Sequence, residues 1–71
     1  MRQAQNSPEL LLSFDAVARR LAISKRGVYR LLANEAAFPR PVKIGGSPRI
    51  SERELGDYIE AVKARRRKVR L

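Results

Sequence analysis

The residues best suited to chemistry in this chain are polar and cationic donors grouped between Ser24 and Arg30. Arg26 and Arg30 are four residues apart, so in a helix they lie on one face, one turn apart. Lys25 and Tyr29 flank that line with the same spacing. Arginine and lysine donate to guanine O6 and N7, and any basic side chain can bind a phosphate. The spacing therefore predicts a helix face that contacts duplex DNA; the alternative is a solvated charged face with no specific role.

The composition favours a polyanionic partner over an enzymatic role. The 71 residues include 16 lysines and arginines against 7 acids, a formal charge of +9, which attracts DNA, RNA or an anionic membrane surface. The absence of cysteine and histidine removes the commonest metal ligands and the usual general base. We therefore expect no enzymatic activity, no metal and no cofactor. No apolar run is long enough to span a bilayer, and we expect a cytoplasmic protein that joins the nucleoid when bound to DNA.

Two short helices are predicted on either side of a break at Ala22-Ile23. Ser13 and Ser24 each precede an apolar stripe of helical period, which makes them N-cap residues. This is the layout of a helix-turn-helix, whose second helix enters the major groove with its N-terminal residues toward the base edges. The candidate DNA contacts on that helix are Ser24, Lys25, Arg26, Tyr29 and Arg30.

A β-hairpin, or wing, is predicted after the second helix. Val42–Ile44 alternates apolar and basic residues, Gly45-Gly46-Ser47 is a turn signal, and Pro48–Ile50 returns as a short strand. Because proline cannot donate to a ladder, we expect the second strand to be an edge strand. Lys43, Ser47 and Arg49 are the candidate DNA contacts of the wing; the alternative is a hairpin that only covers the core.

A third helix is predicted from a capping box formed by Ser51 and Glu54. We divide the chain into a flexible arm at residues 1–9, a winged helix-turn-helix domain at 10–63 and a basic tail at 64–71. The remaining basic residues are secondary candidates for phosphate or partner contacts, with a solubilising role as the alternative: Arg19, Arg20, Lys63, Arg65, Arg66, Arg67 and Lys68.

The apolar positions are most simply a core. We expect it to contain Phe14, Val17, Leu21, Val28, Leu31, Leu32, Phe38, Ile44, Leu55, Ile59 and Val62. Gly27 lies inside the second helix, where glycine costs up to about 1 kcal/mol relative to alanine. A close approach of the first helix would explain it.

Several segments together resemble the AlpA family of small phage-type regulators and the related excisionases. They are Leu12-Ser13, Leu21–Ser24, Val28–Leu31, Phe38–Val42, Gly45-Gly46, Arg49-Ile50 and Glu54-Leu55. The resemblance implies a winged helix-turn-helix similar to the MerR DNA-binding domain. It also implies that residues 24–30 form the recognition helix and residues 43–49 the wing. Members of the family regulate transcription of mobile elements or act as recombination directionality factors.

Three functional hypotheses follow. The first is an excisionase, or recombination directionality factor, that binds duplex DNA near attachment sites, bends it, associates with further copies of itself and assists a cognate integrase. The second is an AlpA-type transcriptional regulator that uses the same surface. The third is a basic RNA-binding protein, which is less favoured because RNA recognition usually needs exposed aromatic residues.

Overall fold

The computed structural model describes residues 9–69, with the side chains of residues 9–66. Three helices and three short strands follow one another in this part of the chain. In chain order they are β1 (Leu11–Leu12), α1 (Phe14–Leu21), α2 (Lys25–Asn34), β2 (Val42–Ile44), β3 (Ser47–Ser51) and α3 (Glu52–Val69). The predicted fold, mainly α with a small β-hairpin in a winged helix-turn-helix arrangement, is confirmed. Residues 1–8, most of the predicted arm, lie outside the described residues.

Serine side chains start both helices of the helix-turn-helix. The Ser13 Oγ accepts from the backbone N–H of Ala16 at 3.1 Å, and the Ser24 Oγ accepts from that of Gly27 at 3.1 Å. Both caps were predicted, and each satisfies an N–H that has no partner inside its helix. α1 ends at Ala22, which takes the left-handed conformation (φ 59°, ψ 42°) and lies at the predicted break.

The strands form an antiparallel sheet in the order β1-β3-β2. β3 is therefore central, and the prediction that it is an edge strand is wrong. The cause is β1, which sequence reasoning missed: Leu11 pairs with Ser51 and Leu12 with Ile50. Pro48 is tolerated because β1 does not extend that far, so Pro48 has a strand partner on one side only, Lys43 of β2.

The hairpin turn consists of Gly45 and Gly46, with φ of 57° and 86°. Two successive residues with positive φ define the type I′ turn, whose twist matches that of the strands it joins. Ser47, expected in the turn, is the first residue of β3 and pairs with Ile44.

α3 begins directly after β3. The Ser51 Oγ accepts from the backbone N–H of Glu54 at 3.2 Å, as predicted. Two contacts tie this junction to the residues before α1: the Ser51 hydroxyl donates to the Glu9 carboxylate, and the N–H of Glu52 donates to the carbonyl of Leu10. The helix continues to Val69 and so includes the first residues of the predicted basic tail.

The core lies where the helices meet β3. Its buried members are Phe14, Val17, Ala18, Val28, Phe38, Ile50 and Leu55, and Leu12, Leu21, Leu31, Leu32, Tyr58 and Ile59 pack partly buried against them. Two predicted core residues are wrong. Ile44 is 52% exposed, because every residue of the outer strand β2 faces solvent, and Val62 is 37% exposed, on α3 beyond Ile59.

Gly27 has a different neighbour from the one expected. A Cβ built on it would lie 3.2 Å from Cδ1 of Ile23, in the turn between the helices, and no atom of α1 is among its nearest neighbours. The nearest approach is therefore to the turn between the helices.

Candidate nucleic-acid interface

A surface cleft of about 240 Å³ lies where α1, α2 and the wing meet. Its lining comes from all three: Ser13, Phe14, Asp15, Lys25, Tyr29, Ser47, Pro48 and Arg49. Four of these are predicted DNA contacts, two from the second helix and two from the wing. The fold therefore brings together residues of α2 and the wing that are 18 to 24 positions apart in sequence. We call this site the helix–wing cleft.

Tyr29 is the aromatic residue of the cleft. Its ring packs edge to face with the buried Phe14 ring, with centroids 5.2 Å apart and planes at 74°, a favourable aromatic geometry. More than half of the Tyr29 side chain remains exposed. The ring is thus positioned by packing while its outer part stays available to a ligand.

Lys25 lies on the same side of α2, one turn before Tyr29. Its Nζ is 3.6 Å from Oδ1 of Asp15, in the first turn of α1. Both side chains are more than half exposed, so the ion pair is weak, on the order of 0.2–1 kcal/mol. Lys25 can therefore leave Asp15 for a DNA acceptor at small cost.

Arg26 and Arg30 lie on the solvent side of α2 and are exposed. Within the described residues, no carboxylate forms a salt bridge with either of them. Their ten donor N–H groups are therefore available to an incoming polyanion. Ser24 differs, since its oxygen already caps α2, although its hydroxyl hydrogen can still donate.

The wing residues differ in how they are held. Arg49 is half-buried, and its Nη1 donates to the carbonyl of Pro48 at 3.0 Å. Ser47 is half-buried beside it, at the start of β3. Lys43 is exposed on β2 opposite Pro48 and is not among the residues that line the cleft. The structure thus brings Ser47 and Arg49 to the cleft, and Lys43 to the outer strand.

Most secondary candidates lie elsewhere. Three are already paired with acids: Arg20 with Glu52 at 2.6 Å, Lys63 with Glu60 at 3.0 Å and Arg65 with Glu35 at 3.3 Å. Arg19 and Arg66 are exposed. The side chains of Arg67 and Lys68 lie outside the described residues. None of the five described side chains lines the helix–wing cleft.

Arg40 has a structural role that the sequence did not reveal. Its guanidinium donates to the carbonyls of Leu32, Glu35 and Phe38. These include carbonyls at the C-terminus of α2, which have no partner inside the helix. Arg40 thereby fixes the end of α2 and the chain that leads to the wing.

A second groove, of about 260 Å³, is lined by Leu21, Ile23, Leu31, Tyr58, Ile59, Val62 and Lys63. At its edge, the Tyr58 hydroxyl lies 3.4 Å from Oε1 of Glu35. Burial, followed by the negative charge of Glu35, raises the pKa of Tyr58. The groove is apolar and none of the predicted DNA contacts on α2 or the wing belongs to it.

Sequence reasoning missed part of the cleft. Ser13 was predicted only as the cap of α1 and Phe14 only as a core residue, and Asp15 was not among the candidate contacts, yet all three line the cleft. The sequence signal for these residues was a capped helix start that precedes a basic helix. Only the folded structure shows that the first turn of α1 lies next to the first turn of α2. Within the described residues, no cluster of three or more acidic, histidine or cysteine residues could hold a metal ion, and no helix there is long and apolar enough to cross a membrane.

The three helices, the helix-turn-helix of α1 and α2 and the hairpin beside α2 define a winged helix-turn-helix domain. The family model described as prophage CP4-57 regulatory protein (AlpA) matches residues 11–48, from β1 to the start of β3. The chain belongs to this family, a family of phage-associated DNA-binding regulators. The match includes α2 and the Gly45-Gly46 turn and ends one residue before Arg49. Comparisons with curated proteins and with solved structures give no match.

Proposed function

We propose that the protein binds a specific duplex DNA site through α2 and the wing, and acts there as a recombination directionality factor of a mobile element. The observation that carries the DNA-binding part is the helix–wing cleft. Lys25 and Tyr29 of α2 face it together with Ser47 and Arg49 of the wing. Exposed Arg26 and Arg30 extend this surface along α2.

The dimensions of α2 suit a major groove. An α-helix with its side chains is about 10–12 Å across, and the groove is about 12 Å wide. The 10 residues of α2 extend about 15 Å along it. With the N-terminal turn toward the bases, Lys25, Arg26 and Tyr29 reach base edges. Arg30, one turn further along, contacts a base or a phosphate.

The wing supplies the second contact. Arg49 is held against β3 by the carbonyl of Pro48, so less side-chain entropy is lost when it binds. Beside α2 in the major groove, the wing lies over the backbone and the adjacent minor groove. Arginine is favoured there by the negative potential of a narrow groove. Lys43 and Ser47 would bind phosphates of the DNA backbone on either side of Arg49.

Recombination is proposed because the chain resembles excisionases as well as regulators. A single module of this size buries roughly 600–1,000 Å² on DNA, so neighbouring copies are needed for tight binding. Bending a site of 20–30 base pairs costs on the order of 1–6 kcal/mol, which the wing contacts must offset. The basic segment at 64–71 would add phosphate contacts or bind the integrase.

Transcriptional regulation is the second candidate, and the family description as a regulatory protein favours it. RNA binding is disfavoured by the aromatic residues. Of the four in the chain, Phe14 and Phe38 are buried, Tyr58 is half-buried against Phe38, and Tyr29 alone is exposed.

The test is an excision assay with the cognate integrase on a substrate carrying both attachment sites. We expect excision to require the protein and to fall for Arg26→Ala but not for Arg53→Ala, an exposed arginine of α3. Footprinting should find protection beside the attachment site. Excision that proceeds equally without the protein refutes the recombination role. Protection of a promoter alone would then favour the regulator.

A further inference from the structure

We propose that Asp15 is a specificity-determining residue of the helix–wing cleft, one that penalises contact with phosphates and so favours sites that are read through base edges. This inference rests on the proposed DNA-binding function. Asp15 is the sole acid among the residues that line the cleft, beside Lys25 and Arg49. An acid in a surface built for a polyanion weakens binding unless it serves another purpose.

The position of Asp15 is defined by α1. Ser13 caps that helix through the N–H of Ala16, and Asp15 lies in the first turn, where the helix dipole favours a negative charge. Its Oδ1 is 3.6 Å from Nζ of Lys25. The carboxylate therefore offsets part of the positive charge at the start of the recognition helix.

Asp15 affects the affinity for random DNA and the affinity for a specific site differently. On random DNA, affinity comes almost entirely from phosphates, so Asp15 offsets part of the attraction of Lys25 and repels the backbone. On a specific site, base edges supply the partners. Lys25 can donate to guanine, and a carboxylate can accept from the amino group of cytosine. Asp15 thus lowers random binding more than specific binding.

The test compares Asp15→Asn with wild type on two duplexes, one random and one enriched by selection from a random-sequence pool. We expect random-DNA affinity to rise by about three- to tenfold and its log–log salt slope to steepen by about 0.9, the value for one more phosphate contact. Affinity for the selected duplex should rise less or fall, so the specificity ratio decreases. Asp15→Glu keeps the charge and should keep the ratio closer to that of wild type.

Asp57→Asn is the matched control. Asp57 is exposed on α3 and is not part of the cleft. Asp57→Asn therefore changes the net charge of the protein by the same amount as Asp15→Asn, but it affects bound DNA only through long-range electrostatics. Adding Lys25→Ala to Asp15→Asn should restore the wild-type salt slope. Circular dichroism verifies that each variant is folded.

The outcomes separate the two proposals. If Asp15→Asn changes both duplexes equally, or no more than Asp57→Asn does, Asp15 has no role in specificity, while the DNA-binding proposal stands. If the pool yields no enriched sequence, and Lys25→Ala and Arg26→Ala leave all DNA binding unchanged, the proposed function itself is wrong.

Discussion

Replacing Arg26 with alanine tests the division between base reading and phosphate binding most directly. Arg26 is exposed in the second position of α2, and no described carboxylate pairs with it. Truncation therefore removes no intramolecular ion pair, and alanine is the better helix former. Folding stability should be unchanged within about 0.5 kcal/mol. Any loss of DNA binding is then a loss of contacts to DNA.

The magnitude follows from the contact that Arg26 is expected to make. A bidentate bond between arginine and guanine contributes about 1–3 kcal/mol of discrimination, which corresponds to roughly 5- to 150-fold in affinity. Random duplex should lose less, because Arg26 then makes at most one phosphate contact. Lys25→Ala should have a smaller effect on specific binding than Arg26→Ala, since Lys25 must first leave Asp15.

The assay is a binding titration on the selected and the random duplex at several salt concentrations, with Arg53→Ala as the control for charge. Arg53 is an exposed arginine in the first turn of α3 and takes no part in the cleft. We expect the ratio of specific to random affinity to fall for Arg26→Ala alone. Equal losses on both duplexes would show that Arg26 binds phosphate and that the assignment to base reading is incorrect.

Three further predictions concern stability. Ala22→Gly should stabilise the protein by about 1 kcal/mol, because the left-handed φ of 59° strains alanine but not glycine, and should raise Tm by roughly 4–8 °C; a lower Tm contradicts this. Phe38→Ala should cost about 3–5 kcal/mol in a urea titration, since Phe38 is 1% exposed, and a loss below 1 kcal/mol would disprove its core role. The raised pKa of Tyr58 means that the unfolded chain ionises first as pH rises above about 10. The free energy of unfolding of the wild type should therefore fall with rising alkaline pH more steeply than that of Tyr58→Phe. Equal slopes for the two proteins would refute the raised pKa of Tyr58.

The elements with local signals were predictable from the sequence. A serine before an apolar stripe located the starts of α1, α2 and α3, and the two glycines located the hairpin turn. β1 was missed because Leu11-Leu12 is too short to show alternation. It is a strand only through its pairing with Ile50 and Ser51, some forty residues later. The error on the edge strand has the same origin, since strand order is a property of long-range pairing.

The cleft was predictable in part. Helical spacing found Lys25 and Tyr29, and the wing pattern found Ser47 and Arg49. Nothing in the spacing places Asp15 near Lys25, because the two belong to different helices. Ile44 and Val62 were wrongly assigned to the core because they continue an apolar pattern. Such a pattern identifies one face of a strand or helix, but it does not show how far along that element other parts of the protein cover the face.

Four consecutive residues explain how the wing is held relative to the recognition helix. Arg49 lines the cleft, Ile50 is fully buried, the Ser51 hydroxyl caps α3, and Glu52 pairs with Arg20 of α1. The end of β3 and the first residue of α3 therefore join a candidate DNA contact, the core and two helices within one short segment. Because α2 packs on the same core through Val28, the wing and α2 form one pre-formed surface, which under the proposed function contacts DNA as a unit. Under that function, little ordering entropy would be lost on binding, so that even a small DNA interface could discriminate between sites.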